Sequence, residues 1–246
     1  MIFPFLPTEN IKNYGHSRLK KMPERFRLCI WNWQKNKHKN WPTEFDRLVK
    51  NADLFLVQEA SLSPLLKEKW EHSKLFWTQS TAFLSPIKKY PTGVATASVC
   101  QPIQTHFCTT ETEPFIQTAK TALATLLPVQ HNKFLWVINI HAVNFRRIRA
   151  FQSALMHLSK MIPDDNTPVL LGGDFNTWSK ARTDLLYVLA KQKNLREVVF
   201  KDDYRKCWLG KPLDFLFIRG LKVHSAHIYK TDSSDHNPLL AELSVQ

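Results

Sequence analysis

The stretch Val169-Leu170-Leu171-Gly172-Gly173-Asp174-Phe175-Asn176-Thr177-Trp178 constrains this chain more than any other. An apolar run, entered through Thr167-Pro168, stops at two glycines and gives way to an acid and an amide. A short apolar run bounded by turn residues reads as a buried strand. The glycines let the backbone turn or approach another group closely. In extended chain Asp174 and Asn176 project to one side and Phe175 to the other. A strand tip that presents a carboxylate beside a carboxamide packs poorly and suits chemistry. Taken alone, the stretch is more simply an Asx turn closing a strand. Its weight comes from repetition elsewhere.

The same event recurs along the chain. Residues 26–33 read as a buried strand ending at Asn32, and 53–59 as a second one ending in Glu59. Residues 121–127 and 134–140 form a hairpin about His131-Asn132 and run into His141 and Asn144. Asp214 opens a strand over 213–218. Asp235 and His236 sit in the polar segment just before a final strand over 239–245. Further short strands are expected over 74–78, 93–99, 103–109 and 221–229. Helices are expected from Trp41 to Val49, with Pro42 in the first turn, and over 62–70, 148–162 and 184–191. Each polar strand end has an ordinary explanation: a cap at Asn32, a solvated end at Glu59, a structural histidine at His141, a polar loop at Asp235-His236. None of these explains the repetition.

Residues 1–25 carry prolines and scattered basic residues without periodicity and are read as an irregular lead-in. No linker or composition break follows, so 26–246 is read as a single domain. Many short strands with few helices argue for an α/β fold of packed sheets covered by helices. The 246 residues are 43% hydrophobic and include eight Trp and sixteen Phe, enough for a substantial core. The formal net charge of +13 favours a polyanionic partner: nucleic acid, an anionic membrane face or a phosphorylated substrate. The four cysteines form no CxxC pair, so a zinc site is not expected and a reducing compartment fits. The apolar N-terminus is short and broken by prolines, so neither a signal peptide nor a transmembrane anchor is expected there. Cytoplasmic location is the expectation, with secretion lacking a cleaved signal as the alternative.

The polar set defines a chemistry. Glu59 offers a hard oxygen to Mg²⁺, which binds through one or two carboxylates plus substrate phosphate. Such a metal polarises a phosphoryl oxygen and neutralises developing charge. Asp214 and His236 can pair, holding the imidazole protonated near neutrality. Asp174 can accept a proton from an attacking water, Asn176 can hold phosphoryl oxygens, and His141 can add a second donor.

These residues also carry a resemblance. Asn32, Gln58-Glu59, Ile140-His141, Gly173-Asp174-Phe175-Asn176, Asp214-Phe215 and Ser234-Asp235-His236 resemble, in order, the motifs of the endonuclease/exonuclease/phosphatase superfamily. Asn139-Ile140-His141-Ala142-Val143-Asn144-Phe145 and Ser234-Asp235-His236-Asn237-Pro238-Leu239-Leu240 are similar to its bacterial YafD-type branch. The resemblance spans residues 26–245. It implies a four-layer α/β sandwich, with two mixed β-sheets face to face and helices outside. It implies metal-dependent phosphoester hydrolysis without a covalent intermediate, with Mg²⁺ as cofactor and Mn²⁺ as the alternative. By position it puts Asn32 and Asp235 with Glu59 at the metal, His141 and His236 at the scissile phosphate, and Asp214 behind His236. Trp31 and Trp33 are bulkier than many relatives carry beside that asparagine. Lys120 is the one cationic counterpart between Gly93 and His141 to the substrate contacts of repair nucleases.

The expected activity is that of a nuclease on DNA or RNA. The alternatives are a phosphatase or phospholipid diesterase using the same site, and a non-catalytic nucleic-acid-binding module. Substrate contacts are expected from Asn144 and from three basic loops beside site residues: Lys35, Lys37 and Lys39; Arg146 with Arg147 and Arg149; and Arg205, Lys206, Trp208 and Lys211. Trp33, Trp41 and Trp208 are the expected stacking platforms for unpaired bases.

Overall fold

The computed structural model describes residues 10–85, 87–109, 121–144 and 147–246. The first half of the chain supplies β1 (Ile11–Gly15), β2 (Arg25–Asn32), α1 (Trp41–Val49), β3 (Leu54–Ser61), α2 (Pro64–His72), β4 (Phe76–Leu84), β5 (Pro91–Ser98) and β6 (Gln104–Thr109). The second half supplies β7 (Thr121–Val129), β8 (Lys133–His141), α3 (Ile148–Met161), β9 (Val169–Asp174), α4 (Lys180–Gln192) and β10 (Arg196–Glu197). It ends with β11 (Cys207–Trp208), β12 (Lys211–Pro212), β13 (Asp214–Arg219), β14 (Leu221–Ile228) and β15 (Leu239–Val245). Among the described residues the strands form a seven-stranded sheet, β1-β4-β5-β3-β2-β15-β14, and a six-stranded sheet, β10-β13-β9-β8-β7-β6. Both are mixed: β2 pairs parallel with β3 and β8 with β9, and the other ladders are antiparallel. β11 and β12 make a separate small hairpin.

The two sheets stack face to face, with β3 and β5 against β8 and β2 against β9. Burial explains the layering. On the outer face of the first sheet, Trp41 and Phe45 of α1 and Trp70 of α2 meet Trp33, Phe55 and Trp77 in one aromatic cluster. On the outer face of the second, Phe151, Leu155 and Leu158 of α3 and Leu186 and Leu189 of α4 pack on Ile138, Leu171, Phe215 and Phe217. Fully burying each such side chain is worth about 1.5–3 kcal/mol. The helix starts are local. The hydroxyl of Ser63 accepts from the Leu66 N–H, and that of Ser179 from the Arg182 N–H. The four-layer sandwich expected above is therefore the observed architecture. No helix among the described residues is long and apolar enough to cross a membrane.

The lead-in contains a strand that periodicity does not reveal. β1 pairs antiparallel with β4 at the sheet edge, so residues 11–15 are not irregular. Lys12 and Asn13 are exposed, and such a strand is ordered by its ladder rather than by an apolar face.

Candidate active site

The parallel pairs decide where the polar strand ends go. β2 and β3 run together in one sheet, and β8 and β9 in the other, so their C-terminal ends carry Asn32, Glu59, His141 and Asp174 to one edge of the sandwich. β13 and β15 run antiparallel to their neighbours and begin at that edge, which adds Asp214 and His236. His141, Asp174 and Asp214 occupy a single register row across three strands. Paired residues of adjacent strands face the same way, so all three side chains face the opposing sheet.

Asp174 is the centre of the arrangement. Its Oδ2 accepts from Asn32 Nδ2 at 3.0 Å and its Oδ1 from the Asn176 N–H at 2.9 Å. His141 Nε2 stands 3.5 Å from Asp174 Oδ2 and 3.7 Å from Glu59 Oε1. His236 Nε2 stands 4.0 Å from Asp174 Oδ2, and its Nδ1 is bonded to Asp214 Oδ2 at 2.7 Å. Asp174, Asp214 and His236 form the tight cluster of ligand-type side chains among the described residues, and all three are buried. Burial by itself pushes the His236 imidazole down. The Asp214 carboxylate and its hydrogen bond, helped by Asp174 and Asp235, overcome this and raise it from 6.5 to about 10. His236 is thus a cation at neutral pH, and Asp214 fixes which ring nitrogen faces the cleft.

Two site residues have left-handed backbones, Glu59 at φ 56° and Asn176 at φ 50°. Asparagine tolerates this conformation, whereas glutamate rarely adopts it. Glu59 sits in a bulge, where the β3–β5 register shifts between Val57 and Ala60. The extra residue re-aims its side chain into the cleft, where about a fifth of it is exposed. Gly173 has φ 138°, and a Cβ there would lie 2.1 Å from the Ile140 carbonyl oxygen. Glycine at this position is what lets β9 lie against β8 immediately before Asp174.

The cleft has a volume of about 300 Å³. Asn32, Glu59, His141, Asn144, Asp174, Asn176, Asp235 and His236 all line it, as do Lys35, Lys37 and Trp208. Asp214 lies behind His236. Asp235 stands at the rim, 3.3 Å from Lys206 Nζ, outside the tight cluster. Asn32 donates to Asp174 while its Oδ1 accepts from the Gln34 N–H, so the structure uses it as a support for Asp174. Glu59 and Asp174 supply two hard carboxylates to one small cleft, a donor set that fits Mg²⁺.

Several expected substrate contacts are placed elsewhere. Gln34, Lys35 and Asn36 take successive left-handed φ values of 46°, 60° and 57°. This tight turn directs Lys35 and Lys37 to the cleft, while Lys39 stays exposed ahead of α1 and does not line it. The same turn drives Trp33 into the aromatic cluster, and Trp41 follows, so neither is available to stack on a base. Trp208 is 53% exposed and lines the cleft. The Arg205 guanidinium is committed to Glu197 and Asp203. Arg147 and Arg149 are exposed, and Arg146 and Lys120 lie outside the described residues. Sequence reasoning overlooked Trp178, whose Nε1 donates to Asn144 Oδ1 at 3.0 Å, and Lys206 as a partner of Asp235. The position of Trp178 two residues after Asn176 was the available signal.

The family model described as the Endonuclease/Exonuclease/phosphatase family matches residues 31–236, which run from the strand before Asn32 to His236. The chain belongs to this family. Family members are hydrolases acting on phosphoester bonds, and the motif-bearing strand ends are those gathered at the cleft. Solved structures agree in fold. The human Nocturnin catalytic domain with bound sulfate superposes with a TM-score of 0.66 at 18% identity, covering 98% of this chain and 99% of that one. D. rerio TDP2 complexed with a single-strand DNA product gives 0.60 at 14% identity, covering 90% and 99%. ANGEL2, a 2',3'-cyclic phosphatase, gives 0.63 at 15% identity, covering 89% and 95%.

Proposed function

We propose that this family member is a Mg²⁺-dependent phosphodiesterase of the YafD-like branch that cleaves nucleic acid, with β1 and residues 26–246 acting as one domain. One observation supports this above the others. A charged His236–Asp214 pair, the Asp174 carboxylate, His141 and Glu59 converge on one cleft whose walls carry Lys35, Lys37 and Trp208. In this reading Glu59 would hold the metal, with Asn32 and Asp235 beside it on the cleft, and the metal would neutralise charge on the phosphoryl group. Asp174, oriented by Asn32 and the Asn176 N–H, takes the proton of the attacking water as its oxygen bonds to phosphorus. The P–O ester bond breaks with its electron pair going to the leaving oxygen, which takes a proton from water. His236, charged at its Nε2 face, donates a hydrogen bond to a phosphoryl oxygen meanwhile, and His141 gives a second contact. Asn144, held by Trp178, and the basic walls grip the flanking chain. The likeness to a protein that binds a single-strand DNA product supports a nucleic-acid substrate. The likeness to a 2',3'-cyclic phosphatase keeps a phosphorylated small molecule as the alternative substrate, and the net charge of +13 keeps anionic lipid.

The deciding experiment is a metal-dependent activity panel setting plasmid, abasic-site duplex, single strands and RNA beside phosphoinositides and sphingomyelin. Hydrolysis confined to the lipids or to phosphomonoesters overturns the nuclease reading. Glu59→Gln is expected to keep fold and size while lowering metal-stimulated hydrolysis on the order of 10²-fold, since a hard cation loses a charged ligand. Unchanged activity and an unchanged metal titration would remove Glu59 from the site.

The basic wall is tested separately. Neutralising Lys35 and Lys37 together is expected to weaken nucleic-acid binding. The salt slope should fall by roughly 0.7 for each single-strand phosphate that is no longer neutralised. Lys39→Gln is expected to do neither, because Lys39 does not line the cleft. Hydrolysis of a small chromogenic phosphodiester should change little. Equal loss on both substrates would show that the turn supports the site rather than the polymer.

A further inference from the structure

Apolar packing between two sheets is non-directional, so it does not by itself fix how one sheet slides on the other. The cleft requires that alignment, because Glu59 belongs to one sheet and His141 and Asp174 to the other. Directly beneath the cleft the sheets are joined by a pair of amides, both fully buried: Gln58 of β3 and Asn139 of β8. Gln58 Nε2 donates to Asn139 Oδ1 at 2.7 Å. Asn139 Nδ2 donates to the Val57 carbonyl at 3.1 Å and to the Ala95 carbonyl at 2.8 Å. Val57 and Ala95 are the last regular pair of the β3–β5 ladder before the bulge that carries Glu59. One carboxamide of the second sheet therefore clamps the point at which the first sheet begins to bulge. Gln58 also lies close over Gly173, where a Cβ would approach its Nε2 to 3.1 Å. The pair thus includes the residue immediately before Glu59 and lies against the one immediately before Asp174, and Asn139 stands two residues before His141.

We propose that Asn139, acting with Gln58, is a positioning residue: it stabilises the bulge that holds Glu59 in its left-handed conformation and aligns it with His141 and Asp174. The proposal rests on the reading of Glu59 as a metal-holding carboxylate. A left-handed glutamate persists only where its surroundings over-determine it. The two carbonyl bonds from Asn139 supply that constraint across the sheet interface, where buried hydrogen bonds are directional and costly to lose.

The test uses the full chain with Asn139→Leu, which keeps the branched skeleton of the side chain and removes both donors. Leu135→Ala serves as control, because Leu135 is equally buried on the same strand and has no polar side-chain group with which to hold the bulge. Two readouts are taken: amide hydrogen exchange at residues 58–61, and Mn²⁺ affinity by electron paramagnetic resonance titration. Asn139→Leu is expected to speed exchange at 58–61 by about tenfold more than the control and to weaken Mn²⁺ binding 10- to 100-fold, roughly the range for lost support of a metal ligand. Gln58→Met removes one bond and leaves both bulge contacts, so a smaller change in the same direction is expected; it carries the test should Asn139→Leu not fold. Exchange at 58–61 no faster than in the control overturns the proposal, as does faster exchange with Mn²⁺ affinity intact. A wild-type chain that binds no Mn²⁺ sinks the metal assignment of Glu59 instead, and the exchange measurement still decides whether Asn139 holds the bulge.

Discussion

Asp174→Asn is expected to lower turnover on the order of 10³-fold or more, because base and charge are lost at the same atom. The carboxylate is the point on which Asn32, the Asn176 N–H, His141 and His236 converge. Asparagine has the same shape, and its carbonyl oxygen can still accept from the Asn176 N–H. The fold should survive, since the surrounding core of Phe175, Phe215 and Phe217 is untouched. What disappears is the proton acceptor for water and the anion beside two imidazoles. The check is single-turnover hydrolysis of a defined substrate alongside a circular dichroism melt. A variant that retains more than a tenth of wild-type turnover, with an unchanged melt, would place the base elsewhere.

The second large effect concerns His236. Removing the negative partner in Asp214→Asn leaves burial unopposed by its strongest counterweight, and the imidazole pKa should fall below its wild-type value of about 10, with Asp174 and Asp235 still holding it up in part. The variant's His236 is then charged less of the time at pH 8, and turnover is expected to drop on the order of 10²–10³-fold, the worth of a preorganised donor to the charge that develops on the phosphoryl group. The upper limb of the pH–rate profile moves to lower pH, and activity is partly recovered on acidification. Stability follows with a defined sign. A group whose pKa is raised on folding stabilises fully below its unfolded value of 6.5, and this contribution is lost as pH rises toward about 10. Wild-type protein should therefore lose stability across that window, and Asp214→Asn should lose much less. Urea midpoints at pH 6 and pH 9.5 for both proteins measure the difference. Identical pH dependence in the two would show that Asp214 and His236 are not coupled.

Much of the site was legible locally. Asn32, Glu59, His141 and Asp174 each end an apolar run, and a run that stops at a polar residue marks a strand tip whatever the remainder of the fold does. The apolar stripes of α1 and α3 and the hairpin at His131-Asn132 were likewise set by neighbours in sequence. The edge strand β1 was not legible, because an exposed ladder needs no apolar alternation. The fate of the Trp33–Trp41 loop was not legible either. Its lysines and asparagines read as a solvated grip, yet three consecutive left-handed residues bury both tryptophans and leave two lysines at the cleft. Arg205 reads as a substrate contact and is instead held by Glu197, Asp203 and the Asp214 carbonyl. The amides of Gln58 and Asn139 carried no signal that they bond to each other across 81 residues. The sequence by itself determined which strand ends are polar and in what order they come. Only the tertiary structure decided that these ends meet, which loops face the cleft, and how one sheet is aligned on the other. Strand ends are fixed by the burial of adjacent residues, whereas meeting and alignment depend on contacts between segments far apart in the chain, which no local pattern encodes.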